Sequence, residues 1–362
     1  MLEAREAVKN LHAYRPPLAG RVGLRLDFNE STVGCSPRVL ARLRSLDAEL
    51  LARYPERESV EKEVAAFLGL DSSQVLLTNG VDESIHLLCS TYLDPGDDAL
   101  IVVPTFAMYA IFAQAEGARI IGVRAGDNFI FPAKDLLARL SPRTRLIAVA
   151  NPNNPTGSAV AGDALIEIAQ AAPQAALLVD EAYFEFHGET LIDRTRQIDN
   201  LFVARTFSKA YGLAGLRIGI LAGEARQMTM VRRVASPYNV NAAALAVLPE
   251  ALRDQEYVNR YVAQVLSNRD RLQQELGNLG LHYWPSHANF VLVSIGAAHA
   301  EFVQALRIRG ILVRDRDTDP GCEGCVRLTV GSDRHTEALI VALRDVVERL
   351  GLRRSLQNGV QA

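Results

Sequence analysis

The stretch that decides the fold is Thr206-Phe207-Ser208-Lys209-Ala210-Tyr211-Gly212-Leu213-Ala214-Gly215-Leu216-Arg217. It places the amine of Lys209 among small residues, two hydroxyl groups and a nearby guanidinium. A lysine becomes a nucleophile when neighbouring cations or loss of water lower its pKa. Because hydroxyls and a guanidinium can hold a phosphate, the stretch predicts a lysine that captures a phosphorylated aldehyde covalently.

Short apolar runs on both sides of this stretch predict strands that are buried on both faces of a sheet. Helical patterns lie between them, for example at residues 84–93 and 163–171. The expected fold class is therefore α/β, with a mostly parallel central sheet flanked by helices on both sides. The apolar runs are residues 75–77, 99–103, 120–123, 146–149, 177–179, 201–203 and 218–221.

The pattern changes after about residue 245. A long amphipathic helix is predicted at 254–279, and shorter β-like runs follow it. A chain of 362 residues exceeds the roughly 250–300 residues at which single cores stop growing. We therefore expect residues 1–36 to form a surface arm that joins the small domain, 37–245 a large domain, and 246–362 a smaller α+β domain. The β-like runs are residues 289–293, 311–313 and 326–330.

Composition disfavours nucleic-acid and membrane partners. The chain has 39 Lys and Arg against 42 Asp and Glu, without a basic block. No apolar run approaches the roughly 20 residues of a membrane span, and the first residues do not resemble a signal peptide. Four cysteines are too few for a disulfide framework in a chain of this length. We expect a cytoplasmic protein.

Cys322 and Cys325 form a CxxC pair, but a structural zinc site needs a second ligand pair at matching spacing. No metal site is predicted, and two small residues in a loop before a strand are the simpler interpretation.

Three segments could supply the other parts of a site for a phosphorylated ring. Thr78-Asn79-Gly80-Val81-Asp82-Glu83 follows a strand and opens a helix, whose N–H groups can bind phosphate. Taken alone, the segment is better explained as an ordinary helix start with acidic first-turn residues. Asp180 directly follows an apolar strand, at the edge where open α/β sheets bind ligands. A buried aspartate there needs a cationic partner, such as a protonated ring nitrogen.

The third segment is the loop Ala150-Asn151-Pro152-Asn153-Asn154-Pro155-Thr156-Gly157. Its Pro, Asn and Gly residues fix a turn, and Asn154 can donate a hydrogen bond to a ligand oxygen. Taken alone, the segment is typical of a turn without further function.

Together, Asn154-Pro-Thr-Gly, Asp180 with Tyr183, and Ser208-Lys209 with Arg217 resemble the class I and II aminotransferases, which are pyridoxal-phosphate enzymes of fold type I. The resemblance implies catalytic roles for Lys209, Asp180 and Tyr183, with pyridoxal 5'-phosphate held as a Schiff base on Lys209. Asp180 would pair with the pyridine nitrogen, and Asn154 and Tyr183 would contact the ring oxygen. The groups implied for the phosphate are those of Thr206, Ser208, Arg217 and the backbone of Val81 and Asp82.

Phe106 would stack on the cofactor ring by the same resemblance, although many relatives have tyrosine at that position. For a lone phenylalanine beside a strand, packing in the core is the alternative.

Further segments resemble the histidinol-phosphate branch of this family, nearly from end to end. That branch implies amino transfer between L-histidinol phosphate and 2-oxoglutarate, giving imidazole acetol phosphate and glutamate in histidine biosynthesis. It also implies a homodimer in which Tyr54 reaches the cofactor phosphate of the neighbouring subunit. The resembling segments are Leu26-Asp27-Phe28-Asn29-Glu30 after Tyr14, Arg53-Tyr54-Pro55-Glu56, the segment around Phe106, and residues 207–217, 310–316 and 325–331.

The same branch implies that Arg314, Arg327 and Asn154 bind the substrate and that Tyr14 closes over it. Two guanidiniums can grip a phosphate or a carboxylate. Histidinol phosphate has no α-carboxylate, so one arginine pair must serve a phosphate in one half-reaction and dicarboxylates in the other. Solvated surface charge is the alternative for both arginines, and Tyr14 could simply anchor the arm.

Three other functions fit this scaffold. A threonine-phosphate decarboxylase would release CO2 from threonine phosphate without exchange into 2-oxoglutarate. An aromatic amino acid aminotransferase would prefer phenylalanine to histidinol phosphate. A regulator that senses pyridoxal phosphate would need an appended DNA-binding domain, and the roughly 36 residues before the large domain are too few for an independent core.

Overall fold

The computed structural model describes residues 2–11, 13, 17 and 20–352. Tyr14, for which a substrate contact is predicted, lies outside these residues. The strands, numbered in chain order, are β1 (Leu24–Leu26), β2 (Val75–Thr78), β3 (Asp98–Val103), β4 (Arg119–Arg124), β5 (Thr144–Ala150), β6 (Ala176–Asp180), β7 (Leu201–Thr206), β8 (Gly219–Ala222), β9 (Tyr283–Trp284), β10 (Phe290–Ser294), β11 (Ile311–Asp315) and β12 (Cys325–Thr329).

The helices are α1 (Glu6–Lys9), α2 (Pro37–Arg44), α3 (Ala48–Ala52), α4 (Glu58–Phe67), α5 (Val81–Tyr92), α6 (Met108–Ala115), α7 (Ala133–Ala138), α8 (Gly162–Ala171), α9 (Phe184–His187), α10 (Ala225–Val234), α11 (Ala242–Arg253), α12 (Gln255–Asn278), α13 (His299–Ile308) and α14 (Asp333–Arg349). Short 3-10 turns lie at Ser72–Gln74, Asp127–Phe129, Ile192–Arg196, Ala214–Leu216 and Gly296–Ala298.

The larger sheet has the strand order β2-β8-β7-β6-β5-β3-β4. Its neighbouring strands are parallel except at β8, which runs antiparallel to β2 and β7. Along β3, Leu100 and Val102 belong to one apolar core while Ala99 and Ile101 belong to the other. Successive side chains of a strand point to opposite faces, so continuous apolar runs are what a sheet covered on both sides requires. The predicted α/β class is confirmed.

Parallel strands bring the segments that follow them to a single edge of this sheet. Thr78 and Thr206, near the ends of β2 and β7, both lie opposite Gly219 at the start of β8. Asp180 ends β6 and pairs with Ala204 of β7. The topology therefore gathers the helix start after β2, the carboxylate after β6 and the lysine loop after β7.

The smaller sheet has the order β1-β11-β12-β10-β9. β1 is parallel to β11, and the other neighbours are antiparallel. Helices α12, α13 and α14 pack against this sheet or one another. The strand β1 belongs to this sheet and lies beside β11.

The arm does not lie wholly on the surface, and this part of the prediction was wrong. Leu26 is fully buried, and Asp27 and Asn29 are nearly so. The sequence lacked a clear period there because the strand has only three residues, too few for a periodic pattern. The predicted large-domain boundary at residue 245 falls inside α11, which packs against α2 and α4, and the domain division stays a prediction.

In the part of the chain that the structure describes, no helix is long and apolar enough to span a membrane. The same residues contain no group of three or more His, Cys, Asp or Glu side chains that could hold a metal ion. Cys322 lies in the loop before β12, Cys325 is the first residue of that strand, and both are buried.

Candidate active site

Lys209 lies in the loop after β7, and its side chain is half-buried. Its Nζ donates a hydrogen bond to the carbonyl oxygen of Phe28 at 3.0 Å. Burial lowers the pKa of Lys209 to about 8, with help from the charge of Arg327 and against that of Glu30. A sizeable fraction of this amine is therefore neutral near neutral pH, as a nucleophile requires.

Asp180 is almost completely buried at the end of β6. Its Oδ2 accepts a hydrogen bond from the hydroxyl of Tyr109 at 2.5 Å, and its Oδ1 accepts one from the N–H of Ala182 at 2.9 Å. Burial raises the pKa of Asp180 to about 6, although the hydrogen bond from Tyr109 opposes the rise. Both donors are neutral, so this buried carboxylate suits a cationic ligand group such as a protonated pyridine nitrogen.

Tyr109 was not predicted as a site residue. It lies in the first turn of α6 and is fully buried. Burial raises its pKa well above the usual value, and the charge of Asp180 adds to the rise. A buried tyrosine normally finds a partner for its hydroxyl, but the sequence did not indicate which one.

Tyr183 follows β6 closely, and its hydroxyl accepts a hydrogen bond from Nδ2 of Asn29 at 2.9 Å. Asn29 is itself held by the Thr329 hydroxyl, which donates to its Oδ1 at 3.0 Å. Burial raises the pKa of Tyr183, while the charge of Arg327 and the hydrogen bond from Asn29 lower it. The Tyr183 hydroxyl can still donate its own proton to a ligand oxygen. Asn29 belongs to the Leu26-Asp27-Phe28-Asn29-Glu30 motif, but no role was predicted for it.

Arg327 connects the smaller sheet to the loop that holds Asn154. Its Nη1 donates to Oδ1 of Asn154, and its Nη2 donates to the carbonyl oxygen of Asp27 at 2.7 Å. The oxygen of the Asn154 side chain is thus engaged, which leaves its NH2 group to donate to a ligand. Arg327 is 5% exposed, so its charge acts where water screens it weakly.

Backbone N–H groups, hydroxyls and a guanidinium meet at the start of α5. This helix begins at Val81 without a side-chain cap. Nη2 of Arg217 donates to the Asp82 carboxylate at 3.0 Å. The backbone of Gly80, with a φ of 77° and a ψ of 174°, favours glycine, and a Cβ there would push aside the end of the Arg217 side chain, whose Nη2 would lie 2.7 Å away. We call the N–H groups of Val81 and Asp82, the Arg217 guanidinium and the hydroxyls of Thr206 and Ser208 the phosphate cradle. The arrangement suits a phosphate.

Two buried hydroxyls complete this cradle at the end of β7. Thr206 Oγ1 donates to Ser208 Oγ at 2.8 Å and accepts from the Ser208 N–H at 3.1 Å. Ser208 also lines a cavity of about 620 Å³ that reaches Glu30 and Arg334. The cradle therefore has an approach from solvent.

The remaining predicted residues take different positions. Phe106 is half-buried in the loop after β3, with its ring 5.8 Å from that of Tyr109 in an edge-to-face contact. The guanidinium of Arg314 lies 5.3 Å from the centre of the Phe28 ring. Tyr54 is 79% exposed and stacks on Tyr238 at 4.3 Å. The structure therefore does not bring Tyr54 into the site of its own chain.

A seven-stranded, mostly parallel sheet with a lysine loop after one of its strands, together with a smaller five-stranded sheet, is the architecture of the fold-type I enzymes. The model of the family "Aminotransferase class I and II" matches residues 21–343. The chain belongs to this family, and the resemblance drawn from its motifs is confirmed.

Within this family, the chain is similar to several histidinol-phosphate aminotransferases. The chain is 34% identical to histidinol-phosphate aminotransferase 1 of Trichormus variabilis, over 95% of this chain and 98% of that protein. It is also 34% identical to the histidinol-phosphate aminotransferase of a Thermoanaerobacter species, over 89% of this chain and 93% of that protein. The crystal structure of histidinol-phosphate aminotransferase from Sinorhizobium meliloti, in complex with pyridoxal-5'-phosphate, superposes with a TM-score of 0.87. It is 25% identical and covers 97% of this chain and 99% of that one.

Proposed function

We propose that this chain uses pyridoxal 5'-phosphate to transfer the amino group of L-histidinol phosphate to 2-oxoglutarate. The products are imidazole acetol phosphate and L-glutamate, as a step of histidine biosynthesis. One observation carries the proposal. The amine of Lys209, whose pKa is lowered, lies within the electrostatic influence of the buried guanidinium of Arg327. The nearly full-length similarity to histidinol-phosphate aminotransferases supports the choice of substrate.

The cofactor, when bound, supplies an aldehyde that captures the amine and a ring that accepts electrons from the substrate Cα. Asp180 would hold the proton of the pyridine nitrogen, while Asn154 and Tyr183 would donate to the ring oxygen. Phe106 would cover one face of the ring. The phosphate would lie among the side chains of Thr206, Ser208 and Arg217 and the N–H groups of Val81 and Asp82.

Lys209 performs both proton transfers in this proposal. When its amine is free, the Nζ of Lys209 would accept the proton from the substrate Cα as a general base. Acting as a general acid, the same Nζ would then give a proton to the other carbon that is bonded to the transferred nitrogen. A pKa of about 8 suits both roles near neutral pH, and the exchange of two substrates at one site predicts ping-pong kinetics.

Arg314 and Arg327 would bind the anionic end of the substrate. They lie directly opposite each other on β11 and β12, where like charges repel unless an anion separates them. A phosphate or a carboxylate between them relieves that repulsion. This supports substrates with an anionic tail over neutral amines.

A homodimer with a composite active site belongs to the same proposal. Tyr54 and Tyr238 form an exposed aromatic pair, and Leu51, 62% exposed, lies three residues before Tyr54. Exposed apolar groups of this kind favour a protein contact. Mixed dimers of Lys209→Ala and Tyr54→Ala chains test it, because one of their two sites would combine both native residues. Regained activity on mixing supports the composite site, and its absence contradicts it.

We also infer a cytosolic location. All four cysteines are free in the structure, whereas oxidising compartments favour disulfides. Fractionation of cells that express the tagged chain tests this inference.

The substrate assignment is tested by following amino transfer into 2-oxoglutarate from histidinol phosphate, threonine phosphate and phenylalanine side by side. We expect the highest kcat/KM for histidinol phosphate. Release of CO2 from threonine phosphate would favour a decarboxylase instead, and preferred exchange with phenylalanine would favour an aromatic aminotransferase. Lys209→Ala should abolish turnover and keep a noncovalent cofactor site, and it serves as the blank.

A further inference from the structure

The loop between β11 and β12 carries an ion pair that the proposed function does not use. The guanidinium of Arg316 pairs with the carboxylate of Asp319, and the two side chains are 12% and 23% exposed. The N–H of Asp319 donates to the carbonyl oxygen of Arg316 at 2.9 Å. A turn therefore holds these two charges together in a half-buried position.

The register of the strands puts Arg316 on the same face as the substrate arginines. Arg314 lies opposite Arg327. The N–H of Arg316 donates to the carbonyl oxygen of Cys325 at 2.9 Å, which continues the ladder one residue past β11. Because side chains two residues apart share a face of a strand, Arg314 and Arg316 point to the same side. Three guanidiniums are thus gathered at one place.

The electrostatics of Asp319 agree with this geometry. Burial raises the pKa of Asp319, while the charges of Arg316, Arg327 and Arg314 all lower it. One carboxylate of the chain itself therefore lies in the field of all three arginines. It occupies the kind of position that a substrate anion would take.

Arg316 also has an unused donor. Its Nε is buried and has no hydrogen-bond partner within the described part of the chain. Buried donors in proteins usually have a partner, and a guanidinium offers five N–H groups in a fork that matches phosphate oxygens. A ligand oxygen would satisfy this donor.

We propose that Arg316 is a third guanidinium of the substrate-anion site and that Asp319 is its exchangeable counter-anion. A phosphate monoester has three terminal oxygens and nearly two negative charges, so it engages all three arginines and releases Asp319. A carboxylate has two oxygens, which Arg314 and Arg327 satisfy, and Asp319 then stays on Arg316. This exchange lets one site serve a phosphate in one half-reaction and a dicarboxylate in the other. It rests on the proposed function.

Binding of inorganic phosphate to the protein saturated with pyridoxal phosphate tests the exchange, because the cofactor then fills its own phosphate cradle. Titration calorimetry should show phosphate binding at least tenfold weaker in Arg316→Gln and several-fold tighter in Asp319→Asn. A salt bridge that only stabilises the loop would give losses of the same sign in both variants. That pattern, or no change in either, overturns the inference.

Steady-state kinetics add a second readout with its own controls. Arg316→Gln should raise KM for the phosphorylated amine at least tenfold and change KM for 2-oxoglutarate less than twofold. Arg143→Gln and Asp199→Asn remove exposed charges with 64% side-chain exposure and should change neither constant. Equal effects on both substrates would contradict the inference. Failure of the proposed function would instead appear as absent amino transfer in the unmodified protein, whereas the calorimetric contrast would persist.

Discussion

The hydroxyl of Tyr109 donates a hydrogen bond to the carboxylate of Asp180 at 2.5 Å, and both groups are buried. Seventy-one positions separate the two residues in the chain, so only the fold brings them together. The hydrogen bond opposes the effect of burial on the pKa of Asp180. Tyr109 thereby helps to keep this carboxylate ionised and fixes its position.

Removing that hydroxyl should weaken the site without touching the lysine. A hydrogen bond to a charged group contributes about 1.5–3 kcal/mol, so Tyr109→Phe should lose roughly tenfold to hundredfold in affinity for pyridoxal phosphate. In this variant the pKa of Asp180 should rise further, so the acid limb of the pH–rate profile should move to higher pH. Equilibrium dialysis and pH–rate profiles measure the two effects.

Tyr92→Phe is the matched control for Tyr109→Phe. The Tyr92 hydroxyl donates to Oε1 of Gln227 at 2.9 Å. Tyr92 ends α5, whereas the candidate phosphate site lies at the start of that helix. This variant should keep the cofactor affinity and the pH profile. If both variants behave alike, the special role of Tyr109 is refuted.

The pKa of Lys209 predicts a pH dependence for the cofactor-free protein. The folded-state pKa of about 8 lies below the usual 10.5, so the amine loses its proton, and becomes nucleophilic, as pH rises through about 8. The initial rate of pyridoxal phosphate capture should therefore rise with a midpoint near pH 8. Stopped-flow absorbance measures it, and Lys209→Arg should abolish the phase. A midpoint near 10 would contradict the burial argument.

Gly80 predicts a steric effect on the phosphate cradle. Gly80→Ala introduces a Cβ 2.7 Å from Nη2 of Arg217 at a φ of +77° and a ψ of 174°, a backbone region that is essentially restricted to glycine and costs other residues roughly 1–3 kcal/mol. We expect lower stability together with at least a tenfold loss of cofactor affinity. Thermal unfolding and dialysis measure the two quantities.

Gly280 separates backbone strain from crowding. Its φ of +74° is nearly the same, but no atom lies within 4 Å of an added Cβ. Gly280→Ala should lose some stability because of its own positive φ and should retain its cofactor affinity. An equal loss of affinity in the two variants would show that the cradle does not depend on Gly80.

The buried carboxylate of Asp180 should lower the stability of the fold while it serves the bound cofactor. Its folded pKa of about 6 exceeds the reference of 3.8, so the folded state holds a proton that the unfolded state has lost, and stability falls as pH rises through this window. At pH 8 the ionised carboxylate costs roughly 3 kcal/mol. Asp180→Asn loses one of the two hydrogen bonds to this carboxylate, which contributes about 1.5–3 kcal/mol when the acceptor is charged, so it should gain at most roughly 1.5 kcal/mol net.

That gain should appear in the cofactor-free protein at pH 8 and vanish at about pH 4, where both side chains are neutral. Urea unfolding at the two pH values measures it. The same variant should lose most of its activity, because an amide cannot neutralise a protonated pyridine. A variant that is less stable at pH 8 would contradict the burial of an unneutralised charge.

Much of this architecture could be predicted from local patterns. Continuous apolar runs predicted each strand of the larger sheet, and the alternation with helices predicted its mostly parallel order. Lys209, Asp180 and Arg217 could be found because each follows or precedes a strand at the same edge. They lie close together because the strand order of the larger sheet brings these strand ends side by side.

The residues that were missed act through contacts that no local pattern reveals. Asn29 reaches Tyr183 across 154 positions, in a conformation with a φ of 56° that residues other than glycine seldom adopt. No local pattern indicates the partner of the Tyr109 hydroxyl. Only the register of β11 and β12 shows that Arg316 shares a face with Arg314, and only the turn after β11 brings Asp319 to Arg316.

Reductive trapping tests the central claim most directly. Treating the protein with pyridoxal phosphate and borohydride, followed by peptide mass mapping, should place a single stoichiometric label on Lys209, and Lys209→Arg should carry none. A label on another lysine, or no label in the unmodified protein, would contradict the account.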